Sequence, residues 1–156
     1  MVANIYDSMT SREIVDLLPY QAPFLFVDEV TAVDENSISG TYRYPKNSSF
    51  YQGHFKGNPI TPGVILTETM AQIGLVALGI YIMGQGSEKL SDFQIALSST
   101  EIDFYKPVYP DEIVRVKSQK EYFRFHKLKC AVEMYNAKNE LVCRGKIAGM
   151  LKSKTD

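Results

Sequence analysis

Residues 62–83 read as a helix that is apolar on every side. Val64, Ile65, Leu66, Met70, Ile73, Leu75, Val76, Leu78 and Ile80 leave no polar stripe. A helix of that kind is buried inside a protein or spans a bilayer. The uninterrupted apolar stretch covers only 73–83, and Glu68 and Gln72 lie inside the helix. A bilayer demands roughly 20 apolar residues in a row. The segment is therefore a core helix, and the rest of the chain must wrap it. Pro62 suits the first helical position with Thr61 as its cap, and Gly84-Gln85-Gly86 stops the helix.

The wrapping lies mainly downstream. Residues 92–105, 111–123, 125–136 and 140–151 read as strands. His126, Leu128, Cys130, Val132 and Met134 alternate with Lys127, Lys129, Ala131, Glu133 and Tyr135, a period of two with one apolar face. Pro107 and Pro110 mark one break, and 136–139 marks a turn. Upstream, Thr10-Ser11-Arg12-Glu13 fits a capping box. A short helix should follow it, with Ile14, Leu17 and Leu18 on one face, ended by Pro19. Residues 24–27 and 37–44 read as two further strands. The expectation is one α+β domain over residues 1–156, a long antiparallel sheet around one central helix.

Composition narrows the function. The chain has 156 residues, 45% hydrophobic and 22% charged, with a formal net charge of −1. Those values fit an ordinary globular protein and disfavour nucleic acid as the main ligand. The near-neutral total hides a split. Residues 1–110 carry six basic and twelve acidic side chains, and residues 111–156 carry eleven and six. The basic portion is either a solvated sheet face or a docking surface for an acidic partner. Cys130 and Cys143 flank a four-residue loop that does not place them opposite each other, so two buried thiols are expected. No Cys/His cluster has zinc spacing. His126 takes a structural role. The acidic and basic residues near the start do not fit a signal peptide, and the expected location is cytoplasmic.

Chemistry concentrates between residues 50 and 72. His54 stands in a Gly-rich loop and can act as acid or base near neutral pH. Gly63 and Val64 open the helix, so their amides lack intrahelical acceptors and sit at the positive end of its dipole. That is a ready oxyanion site, and Gly63 has no Cβ to hold a carbonyl off. Glu68 is a carboxylate in an otherwise apolar helix, costly there unless paired. Walker A, dinucleotide and nucleophile-elbow motifs are absent.

The run His54-Phe55-x-Gly57-x-Pro59-x-x-Pro62-Gly63-Val64, then Glu68, then Ala71-Gln72, resembles the signature of the 3-hydroxyacyl-[acyl carrier protein] dehydratases. Leu18-Pro19, Pro23-Phe24-Leu25-x-Val27-Asp28 and Phe104-x-Lys106-Pro107-Val108 are similar to other parts of that family. The likeness covers roughly residues 13–150. Two positions depart from it. Lys56 stands where the family usually has proline, and Pro110 runs directly into Asp111 where the family often has Pro-Gly-Asp.

The resemblance implies a hotdog fold and a homodimer, often a trimer of dimers, with His54 of one chain meeting Glu68 of its partner. It implies elimination of water from a 3-hydroxyacyl thioester carried on the phosphopantetheine arm of acyl carrier protein, in fatty acid or related lipid or polyketide biosynthesis. His54 would be the base, Gly63 and Val64 the oxyanion site and Glu68 the acid, with Gln72 orienting Glu68. No metal or redox cofactor is implied. Lys106, Arg144, Lys146 and Lys152 are candidates for docking the acidic carrier. The alternatives are an acyl thioesterase on the same fold, or a non-catalytic subunit.

Overall fold

The computed structural model describes residues 9–84 and 93–153. A short helix, α1 (Ser11–Leu17), is followed by β1 (Glu29–Val33) and β2 (Ser37–Arg43). The helix α2 (Gly63–Met83) comes next. Then come β3 (Phe93–Phe104), β4 (Ile113–Arg124), β5 (Lys127–Tyr135) and β6 (Leu141–Ser153). The six strands form one antiparallel sheet in the order β1-β2-β4-β5-β6-β3. This is the hotdog arrangement, with α2 as its filling.

The sheet accepts α2 because each inner strand puts alternate apolar side chains on one face. On β5, Leu128, Cys130, Val132 and Met134 are buried while their neighbours are only partly covered. Val114, Val116 and Ser118 do the same from β4. The middle of α2 is a π-helical stretch, Gln72–Ala77, and this segment meets β2, β4, β5 and β6. Backbone and sheet touch there. A Cβ on Gly74 would lie 2.9 Å from Val132 Cγ1 and 3.0 Å from Ser118 Cβ. The Ser118 hydroxyl donates to the Gly74 carbonyl at 2.7 Å. Although α2 is long and apolar enough to cross a membrane, 72% of its most apolar window is buried inside the protein, as a core helix requires.

Several local expectations hold. Thr10 caps α1, and the reciprocal Glu13 bonds complete the capping box. Cys130 faces Ile147 across β5 and β6 while Cys143 faces Met134, and both thiols are free and buried. Others are corrected. Residues 24–27 form no strand; the Gln72 side chain takes up the Phe26 amide and the Phe24 carbonyl instead. The first strand, Glu29–Val33, begins after them. Leu17 points outward at 45% exposure, and only Ile14 and Leu18 of the expected trio are buried. His126 is not on a strand. Together with Phe125 it makes the turn between β4 and β5, with φ of 61° and 52°. That left-handed turn normally calls for Asn or Gly, and neither stands at 125 or 126 to signal it. The expected boundaries at Gln85, Gly86 and residue 92 lie outside the described residues.

Candidate active site

The loop before α2 folds on its own hydrogen bonds. A 3-10 turn, Ser49–Gln52, ends where the His54 amide donates to the Phe50 carbonyl at 3.0 Å. The Ile60 amide returns to the His54 carbonyl at 2.9 Å, and a tight turn between them closes through Phe55 and Asn58. Gly57 sits in that turn at φ 68°, a conformation that glycine takes without strain. Two further anchors hold the loop down. The Thr61 amide donates to the Val108 carbonyl at 2.8 Å, and its hydroxyl lies 2.6 Å from the Tyr51 hydroxyl. Thr61 is therefore engaged by Tyr51 instead of capping α2. Pro62 occupies the cap position, with no side-chain cap, and Gly63 is the first helical residue.

This loop fixes the chemical state of His54. Its Nδ1 lies 2.8 Å from the Ile60 carbonyl. A carbonyl can only accept, so Nδ1 carries the hydrogen and Nε2 of the neutral ring keeps its lone pair. The ring is half-buried and stacks on Phe55, with centroids 4.0 Å apart. Among the described residues, His54 Nε2 has no partner. The amides of Gly63 and Val64 have none either, as the helix start requires. The missing Cβ of Gly63 would lie 3.3 Å from the Phe104 ring, so the edge of β3 borders the helix start.

Glu68 is half-buried one to two turns into α2. Its Oε1 accepts from Gln72 Nε2 at 3.0 Å, so the proposed orienting residue does touch it. Gln72 is fully buried. Its Nε2 also donates to the Phe24 carbonyl at 3.0 Å, and its Oε1 accepts the Phe26 amide at 2.8 Å. One amide thus ties the 24–26 segment to the Glu68 helix. On the next face of α2, the Thr69 hydroxyl gives its hydrogen to the Ile65 carbonyl, so Tyr44 is the donor in their 2.6 Å contact. Burial pushes the Tyr44 phenol well above its usual range. The sequence carried signals for Gln72 but none for the Tyr44–Thr69 and Tyr51–Thr61 braces.

Within one chain, no hydrogen bond or ion pair joins His54 to Glu68. The expected docking cations are scattered. Lys106 pairs with Glu140 at 2.8 Å, Lys146 pairs with Glu121, and Arg144 lies over the Tyr105 ring at 5.9 Å. Lys152 is exposed near the end of β6. The basic excess sits on the outer sheet face interleaved with acids: Lys117 faces Glu133, which faces Arg144, which faces Asp103. Among the described residues, no group of three or more His, Cys, Asp or Glu side chains could hold a metal ion.

Comparison with known proteins bears on the family and the fold. The FabA-like domain matches residues 18–148. A 3-hydroxyacyl-[acyl-carrier-protein] dehydratase of Ehrlichia canis is 32% identical, over 90% of this chain and 94% of its own. The corresponding enzyme of Caldicellulosiruptor saccharolyticus is 29% identical over 89% and 96%. Among solved structures, a dehydratase heterocomplex from Xenorhabdus doucetiae superposes with a TM-score of 0.74 at 14% identity, covering 90% of this chain and 92% of that one. A thioesterase from Haemophilus influenzae superposes at 0.68 with 13% identity, covering 97% and 96%. At such identity these last two speak to the fold alone.

Proposed function

The chain belongs to the FabA-like family of 3-hydroxyacyl-[acyl-carrier-protein] dehydratases, and from that premise we propose that His54 and Glu68 are the acid–base pair with which it eliminates water. The substrate is a 3-hydroxyacyl thioester on acyl carrier protein, and the product is the trans-2-enoyl thioester. Nε2 of His54 takes the proton from Cα. The thioester oxygen gains negative charge and is held by the Gly63 and Val64 amides, a contribution of about 3 kcal/mol for one well-placed donor. The electron pair left on Cα forms the double bond as the Cβ–O bond breaks. Glu68 delivers a proton to the departing oxygen, which leaves as water. Gln72 holds Glu68 through Oε1 and leaves Oε2 for that transfer. The steps use the chain's own groups and no cofactor.

The observation that carries this reading is the pinned His54 tautomer. Its free Nε2 belongs to the loop that leads into the helix start with its two unspent amides. The site would be completed across a homodimer. In support, β3 is a 12-residue edge strand with one side unpaired, and Leu97 and Phe104 on it are half-exposed. Such an edge invites a second copy, and β3 borders Gly63. The acidic carrier would dock through Lys106, Arg144, Lys146 and Lys152, and the protein would work in the cytoplasm. Assaying His54→Ala and Glu68→Gln for dehydration beside thioester hydrolysis tests the reading. Each variant should lose at least about 100-fold in dehydration, the scale of a general acid or base. Near wild-type rates in either folded variant, or hydrolysis as the faster activity, would refute it.

A further inference from the structure

We propose that the Tyr20 hydroxyl is a third group in the dehydration site, donating a hydrogen bond to the departing 3-oxygen alongside Glu68. The inference rests on the dehydratase reading above and adds a residue to it. Tyr20 follows Pro19 at the end of α1. Its ring lies 6.3 Å from the Phe24 ring, and the Phe24 amide turns back to the Gln21 carbonyl at 2.9 Å. The same residue, Phe24, offers its carbonyl to Gln72 Nε2, whose other hydrogen goes to Glu68 Oε1. A single buried amide therefore holds the acid with one hand and the turn that carries Tyr20 with the other.

Tyr20 has the chemistry for the role. Burial, with the Glu68 charge as a second cause, pushes its phenol up to about 12, so it stays protonated at any working pH. Among the described residues, its hydroxyl has no hydrogen-bond partner. No buried side-chain oxygen in the described structure lacks a partner, so this hydroxyl must be open to solvent. It is a neutral donor on the turn that Gln72 ties to Glu68, half-buried and unspent. As the Cβ–O bond breaks, the oxygen gains negative charge before it is fully protonated. A phenol hydrogen bond at that oxygen strengthens as the charge grows, which is selective stabilisation of the transition state. Tyr20 keeps its proton throughout. The proton that makes water comes from Glu68, and the Cα proton ends on His54.

The test is Tyr20→Phe, which keeps the ring and removes only the hydroxyl, with Tyr20→His as a variant that restores a donor. Steady-state dehydration of a 3-hydroxyacyl carrier thioester is measured with thermal unfolding of each protein. The expected result for Tyr20→Phe is a kcat at least about 10-fold below wild type with KM within about twofold, since the bond acts mainly in the transition state. Its unfolding midpoint should match wild type. Tyr20→His should recover part of the loss. A Tyr20→Phe enzyme with wild-type kcat overturns the proposal, and so does a loss of kcat that Tyr20→His does not relieve. Wild-type protein that fails to dehydrate at all would refute the dehydratase reading instead, which separates the two failures.

Discussion

Replacing Gln72 with leucine tests whether one amide really organises the site. Leucine fills nearly the same volume, so the core stays packed, but three hydrogen bonds go with the amide. The Phe26 amide loses its acceptor at a residue only 3% exposed. An unsatisfied buried donor costs about 1–3 kcal/mol. Phe24 is 48% exposed, so its freed carbonyl can turn to water at little cost. Added apolar burial returns part of the loss, leaving about 2 kcal/mol of destabilisation. For a chain of this size that lowers the unfolding midpoint by about 4–8 °C. Glu68 loses its one hydrogen-bond partner among the described residues as well, and kcat should fall by about 10-fold, with KM less affected. Calorimetry at fixed protein concentration and steady-state dehydration measure the two effects. A Gln72→Leu protein with a wild-type midpoint and wild-type kcat would refute the claim that this amide clamps the segment and aims the acid.

Three other outcomes follow from the same geometry. Gly74→Ala places a methyl 2.9 Å from Val132 Cγ1; overpacking of about 1–3 kcal/mol should outweigh the gain in helix propensity of about 1 kcal/mol, and denaturant titration should show a net loss. Asp111 has φ 67° and bonds to Arg43 and the Lys46 amide; Asp111→Gly relieves the backbone as it drops an exposed pair and should stay within about 1 kcal/mol of wild type, whereas Asp111→Val loses on both counts by about 2 kcal/mol. Burial pushes the thiols of Cys130 and Cys143 up to about 11 and about 12. Both should resist a thiol-reactive dye in the native protein at pH 8 and react on unfolding. Their contribution to stability is complete below pH 9, the unfolded value, and is lost as pH rises through 11 and 12.

The sequence made the architecture legible because its strongest signals are the periodic ones. An all-apolar helix and the alternation along β5 leave few ways to bury both, and the wrapped helix is one of them. His54, Gly63, Glu68 and Gln72 were legible for a different reason: titratable groups and glycines cluster beside a helix start, and each is expensive or pointless there without a use. What stayed hidden depends on long-range partners. Residues 24–27 have the composition of a strand, yet a glutamine 46 residues away from Phe26 claims their backbone. Thr61 has the composition of a cap, yet Tyr51 engages it first. The Phe125–His126 turn carries no Asn or Gly, so only the register of β4 and β5 reveals it. Tyr20 could not be singled out before the 20–26 segment was placed against α2.

In the proposed site, His54 of one subunit works with Glu68 of another. Mixing inactive His54→Ala and Glu68→Gln proteins under conditions where subunits exchange tests it most directly. In a random mixture half the dimers are hybrid, and each hybrid has one site with both native groups and one with neither. Dehydration should return to about a quarter of the wild-type rate, as two-fold symmetry dictates. Recovery should appear at the rate of subunit exchange, followed independently with fluorescently labelled chains. Complete exchange with no recovered activity would contradict that pairing.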